Sequence, residues 1–238
     1  MYLWIIATLV AYFIKGLCGF ANTLVFTSIL GFGANNVAIS PVELVLGYPS
    51  NIILAWDTRK KLDKKVFIPL SIIVILGSLP GAFLLKNVDA KAIKIVFGVL
   101  VMLLGIEMLL REANLIHVKD SKIMLAIIGI TSGVICGLFG VGVLLAAYVS
   151  RTTDTTEGFK ANMSAVFIVE NTFRIITYSV LGIITANSLK LSFMLMPFML
   201  IGVFAGIKSS RVLDEKLSKK IVIILLIISG IMLIAKNI

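Results

Sequence analysis

The sequence predicts an all-α, polytopic membrane protein made of two related halves. Hydrophobic residues make up 59% of the chain and charged residues only 14%, with a mean hydropathy of +1.09. Soluble domains run at about 45–50% apolar, and a chain of this length has nowhere to bury the excess. The apolar residues also cluster, in eight segments spanning residues 2–32, 38–56, 66–85, 92–110, 123–149, 161–184, 190–207 and 219–236. Most are close to the roughly 20 residues that cross about 30 Å of hydrocarbon. The opening MYLWIIATLVAYFIK has no basic n-region and no small-residue cleavage site, so it reads as a retained first span.

The polar break REANLIHVKDSK (111–122) divides the chain into a first repeat at 1–112, a linker at 113–122 and a second repeat at 123–238. Short motifs recur across the divide. LCG at 17–19 answers ICG at 135–137. Gly77, Gly81, Asp89, Lys91, Lys94 and Gly105 meet Gly202, Gly206, Asp214, Lys216, Lys219 and Gly230 at constant offset. Such duplication is a recurring plan of secondary transporters.

The basic loops decide how the halves are oriented. DTRKKLDKK (57–65) and KSSRVLDEKLSKK (208–220) each carry five Lys/Arg, whereas KNVDAKAIK (86–94), the first-half match of 208–220, has three. If both strongly basic loops face the cytoplasm, the halves form an inverted repeat. Eight simple crossings would separate those loops. A fifth segment that enters and returns, or breaks into half-helices, brings them together and leaves seven or eight full crossings. The formal net charge of +10 therefore reads as topology and lipid attraction, with no nucleic-acid partner.

Glycines mark where helices would break. IKGLCGFANTLV (14–25) and VICGLFGVGVLL (134–145) place Gly19, Gly137, Gly140 and Gly142 inside apolar runs, where each glycine costs a helix about 1 kcal/mol. Close helix packing through small residues is one explanation. The other is a pair of half-helices whose unpaired amide ends cradle an anion. Ionisable groups within spans cost about 2.5–3.5 kcal/mol each and usually face a cavity or a partner. Lys15 would attract an anion or snorkel to an interface. Glu170, Asn171 and Arg174 share a segment, and Glu170 and Arg174 lie four apart on one helix face. They form an internal salt bridge, or Arg174 binds substrate while Glu170 carries a coupling proton. Asn22, Asn51 and Asn162 either bind substrate or join helices. Glu107, near a span end, and Glu43, following Pro41 where a helix would begin, are weaker candidates.

The repeats G-L-C-G-F-A-N-T-L and G-V-I-C-G-L-F-G-V-G-V-L-L resemble the paired glycine-rich motifs of the TauE/SafE family of sulfite and organosulfonate exporters. The loop containing Arg59, the stretch Phe159-Lys160-Ala161-Asn162 and L-D-E-K-L at 213–217 are similar as well, so the resemblance runs over nearly the whole chain. Two departures stand out: Ala21 and Asn22 replace usual glycines, and no proline soon follows the second cluster. The resemblance implies a permease for small sulfur-containing or carboxylate anions, driven by an ion gradient, in a prokaryotic plasma membrane with many spans. The expected substrate-binding set is Lys15, Gly19, Asn22, Asn51, Gly137, Gly140, Gly142, Asn162, Asn171 and Arg174, with Glu170 as the coupling group. The expected partners are a small anionic substrate and the bilayer, and a homo-oligomer is compatible with the sequence.

A thiol relay is the rival reading, because each half holds one cysteine, Cys18 and Cys136. However, Leu17 and Ile135 precede them where relay proteins carry proline. A passive channel is a third reading, weakened by the lack of charged rings. No HExxH, P-loop, GxSxG or metal-ligand spacing occurs, and the single histidine, His117, lies in the linker. The sequence therefore predicts neither an enzyme nor a cofactor or metal site.

Overall fold

The computed structural model describes residues 1–30, 36–87, 143–153, 155–212 and 214–237, with 95, 98–99, 102–103, 105–107, 109–110 and 113. All secondary structure among them is helical. The helices are α1 (Tyr2–Cys18), α2 (Asn22–Leu30), α3 (Asn36–Asp57), α4 (Lys64–Asn87), α5 (Val143–Thr152), α6 (Thr156–Val180), α7 (Ala186–Ser210) and α8 (Glu215–Asn237), with a short 3-10 turn at Arg59–Lys61. The second glycine cluster (Gly137, Gly140, Gly142), Cys136 and His117 lie outside the described residues.

The apolar stretch at 2–32 is not one helix. α1 ends at Cys18, where Gly19 adopts a left-handed conformation (φ 89°) and its N–H donates to the Lys15 carbonyl at 2.6 Å. Glycine enters this region without the steric cost a Cβ brings. Ala21 is also left-handed (φ 71°), so the chain reverses before α2 starts. Phe26 on α2 then packs edge-on against Trp4 and Tyr12 of α1, with ring centroids 5.8 and 6.5 Å away. The first segment is thus a hairpin that turns back along itself.

α1 and α7 run parallel and pack through glycine. A Cβ on Gly206 would collide with the Phe13 carbonyl oxygen and sit 2.8 Å from the Leu17 nitrogen, and one on Gly202 would lie 2.8 Å from the Leu9 carbonyl oxygen. These atoms are backbone and cannot swing aside. Gly206→Ala is therefore expected to cost about 3 kcal/mol, the upper end for overpacking. A fall in the thermal midpoint of purified protein checks this, and an unchanged midpoint refutes the crossing. A similar crossing joins the helical residues around Gly98 to Gly230 of α8, where a Cβ on Gly230 would meet the Gly98 carbonyl oxygen at 2.8 Å.

α3 and α6 run antiparallel. Successive contacts pair Ser40 with Tyr178, Glu43 with Arg174 and Tyr48 with Thr172. Beyond the end of α3, the Asp63 N–H donates to Asn162 Oδ1 at 3.1 Å. At that same end Arg211 donates to Asp57 at 2.6 Å, so the two basic loops meet.

Polarity is distributed inside out. Leu3, Ile6 and Val10 of α1, and Phe193, Ile201 and Phe204 of α7, are exposed, while Lys15, Glu43, Lys160, Glu170 and Arg174 are buried. Apolar faces turned outward over charged groups suit a hydrocarbon solvent. Among the described residues, Ala186–Ser210 is the helix both long and apolar enough to cross a membrane, and Tyr2–Cys18 is a shorter apolar one.

Candidate functional site

The site forms where the α1–α2 hairpin meets the antiparallel pair α3 and α6. Its hub is Glu43. Oε1 accepts hydrogen bonds from Asn22 Nδ2 and Thr23 Oγ1, both at 2.7 Å. Asn22 and Thr23 are the first residues of α2, so a carboxylate of the protein stands at the helix end that carries partial positive charge. The other carboxylate oxygen, Oε2, faces Arg174 Nη2 at 3.5 Å. The Tyr12 hydroxyl donates to the Glu43 backbone carbonyl at 3.2 Å, fastening α1 to α3.

Arg174 stands between two carboxylates, with Glu170 Oε1 3.7 Å from its Nε. Both separations exceed the roughly 2.7–2.9 Å of a tight charge-assisted bond. The guanidinium also donates to Asn171 Oδ1 at 3.4 Å and lies 5.8 Å from the centre of the Tyr178 ring. A Cβ on Gly47 would come within 3.3 Å of Glu43 Oε1 and 3.6 Å of Asn171 Nδ2, so glycine keeps α3 thin where it borders the cluster.

Lys15 is the unusual member. Its side chain is 2% exposed, yet among the described residues no carboxylate and no hydrogen-bond acceptor engages its ammonium. Its neighbours are the rings of Tyr12 and Phe167, at 5.9 and 6.0 Å. Aromatic faces attract a cation by about 1–2 kcal/mol when desolvated, which does not replace an anion. Two further buried groups lack hydrogen-bond partners nearby, Asn51 Oδ1 and Ser164 Oγ. Asn51 lies one turn beyond Gly47 on α3, and Ser164 one turn before Phe167 on α6.

The predicted residues therefore divide. Lys15, Asn22, Glu170, Asn171 and Arg174 gather around this cluster, while Asn51 is buried on α3 one turn beyond Gly47. Gly19 caps α1, one turn from Lys15. There Lys160 Nζ donates to the Gly16 carbonyl at 3.0 Å and occupies an end of α1 that would otherwise be unpaired. Asn162 sits apart, donating to Gly158 and accepting from Asp63, and joins α6 to the basic end. Cys18, buried, is the last residue of α1. Glu43, a weaker candidate in the sequence, stands at the centre of these contacts. The signal was an acidic residue within the apolar segment 38–56, four positions from Gly47 on one helix face. Thr23 and Ser164 carried no such signal, because hydroxyls are common within spans.

Among the described residues the cluster holds two cations (Lys15, Arg174) and two carboxylates (Glu43, Glu170), and Lys15 is the cation that none of these carboxylates meets at ion-pair distance. Such a group can take up a small anion. Among curated proteins and among solved structures nothing matches the chain. Residues 4–233, nearly the whole length, match the family described as Sulfite exporter TauE/SafE. The chain belongs to this family of membrane transporters, of the sulfite-exporter type.

Proposed function

We propose that the protein is a proton-coupled secondary transporter of small sulfur-containing anions, sulfite or an organosulfonate, in a prokaryotic plasma membrane. The observation that carries this reading is the buried, unengaged ammonium of Lys15 beside a broken helix. An ammonium kept from water is costly unless an anion compensates it. A compact oxyanion at Lys15 would satisfy that need, with the Ser164 hydroxyl as a further donor. Arg174 adds positive potential from the far side of Glu43.

The chain crosses the membrane several times as two inverted halves. The meeting of both basic loops at one end supports this, as does the first segment's return. Glu170, beside Arg174, is one candidate for the coupling proton.

The test is flux in proteoliposomes with sulfite, thiosulfate, sulfoacetate, taurine and simple carboxylates. Saturable flux of the sulfur anions that responds to a pH gradient is expected. Movement of neutral or cationic solutes alone would sink the anion assignment, and a strict preference for carboxylates would replace the sulfur substrate class.

A further inference from the structure

The Glu43 carboxylate does what a bound substrate would do. It is a small oxyanion at the start of a nine-residue helix, held by two side-chain donors at 2.7 Å and approached by an arginine. We propose that Glu43 is a tethered stand-in for the transported anion: substrate and the Glu43 carboxylate exclude one another, and the entering anion converts Glu43 to its neutral acid. This deepens the anion-transport reading and rests on it.

Charge balance is the reason. The groups facing Glu43 are Tyr12 and Lys15 from α1, Asn22 and Thr23 from α2, and Glu170, Asn171 and Arg174 from α6. α7, which also packs on α3, brings only Ser188 and Ser192 as polar groups among its buried residues. With both carboxylates ionised the described residues of the cluster sum to zero charge, and an added anion leaves one further negative charge among them in an apolar interior. Such a charge is not sustained away from water. A proton on Glu43 restores balance and weakens its claim on Asn22, Thr23 and Arg174, which then serve the anion. When the anion leaves, the proton leaves and the carboxylate returns to its donors. Of the two acids, Glu43 is the one whose donors a substrate would need. Anion and proton are thereby bound together, and the empty carrier is kept charge-neutral.

The experiment uses the full chain in detergent, with methanesulfonate as probe because it stays a monoanion across the working pH range. Adding it to lightly buffered wild-type protein should draw a proton from solution. Glu43→Gln should bind methanesulfonate about tenfold more tightly, since a competing charge within a few ångströms is gone, and should take up no proton. In liposomes its anion flux should no longer follow the pH gradient. Wild-type binding without proton uptake overturns the proposal whether or not the variant folds, as does a folded Glu43→Gln protein that binds no more tightly than wild type. Saturable flux without proton uptake would leave the transport reading intact and end this one. Absence of wild-type anion flux, with gained methanesulfonate binding in Glu43→Gln, would do the reverse.

Discussion

Lys15→Met is expected to abolish saturable anion flux and, at the same time, to make the protein more stable. Burying an ammonium costs several kcal/mol after relaxation. Among the described residues no carboxylate lies within ion-pair distance of Lys15 in return. Methionine matches the length and flexibility of the lysine stem and fills the same space between Tyr12 and Phe167. It also strands no partner, because Glu43 keeps Asn22, Thr23 and Arg174. The net gain should be about 1–3 kcal/mol, seen as a raised thermal midpoint in detergent. Without Lys15 the cluster has one arginine against two acids and repels a further anion, so transport should fall to background. Gain of stability with loss of function marks a group retained for its chemistry. Wild-type flux in Lys15→Met would remove Lys15 from the site. Loss of flux with a lowered midpoint would make it a structural residue.

That lysine was legible in the sequence because a charge inside an apolar run is conspicuous wherever it falls. So was the break beside it: Gly19 within IKGLCGFAN is the residue a left-handed cap requires, and it occupies one, at φ 89°. The direction of the chain after the break was not legible. It depends on Ala21, a residue that rarely adopts positive φ, and on Phe26 packing back against Trp4 and Tyr12. Local spacing likewise exposed the Glu170–Arg174 pair, four residues apart. It could not expose Glu43, whose arginine is 131 residues away and meets it only through the antiparallel register of α3 and α6. The sequence suggested that half-helix amides would receive the substrate, yet the protein's own carboxylate stands at the start of α2 in this state. Gly202 and Gly206, first noticed as markers of duplication, turned out to have a packing task against α1. Most helix ends were underestimated for a simple reason. Apolar runs stop where helices emerge among polar residues, so starts at 161 and 190 moved back to Thr156 and Ala186 and the end at 207 moved out to Ser210, whereas the run to 184 overshot its helix, which ends at Val180 before the left-handed Gly182.

Arg174→Met should have the opposite effect to Lys15→Met. The guanidinium is the cation within ion-pair distance of both Glu43 and Glu170. Removing it takes the guanidinium away from two buried carboxylates, and breaking a buried pair in this one-sided way costs about 3–5 kcal/mol. Arg174→Lys should recover little of this, since a point-like ammonium on a shorter reach cannot serve two acids on different helices. The informative variant is the double one. Arg174→Met with Glu170→Gln leaves Lys15 and Glu43 as the charges of the cluster, one of each sign, and should regain most of the lost stability without regaining transport. Thermal unfolding of the single and double variants measures the coupling directly as a double-mutant cycle. If the double variant is no more stable than Arg174→Met alone, the loss reflects packing against Tyr178, whose ring lies 5.8 Å from the guanidinium. The charges would then not form one unit. If Arg174→Met is as stable as wild type, the acids are not held by this arginine at all, and the balance on which anion uptake depends must be drawn differently.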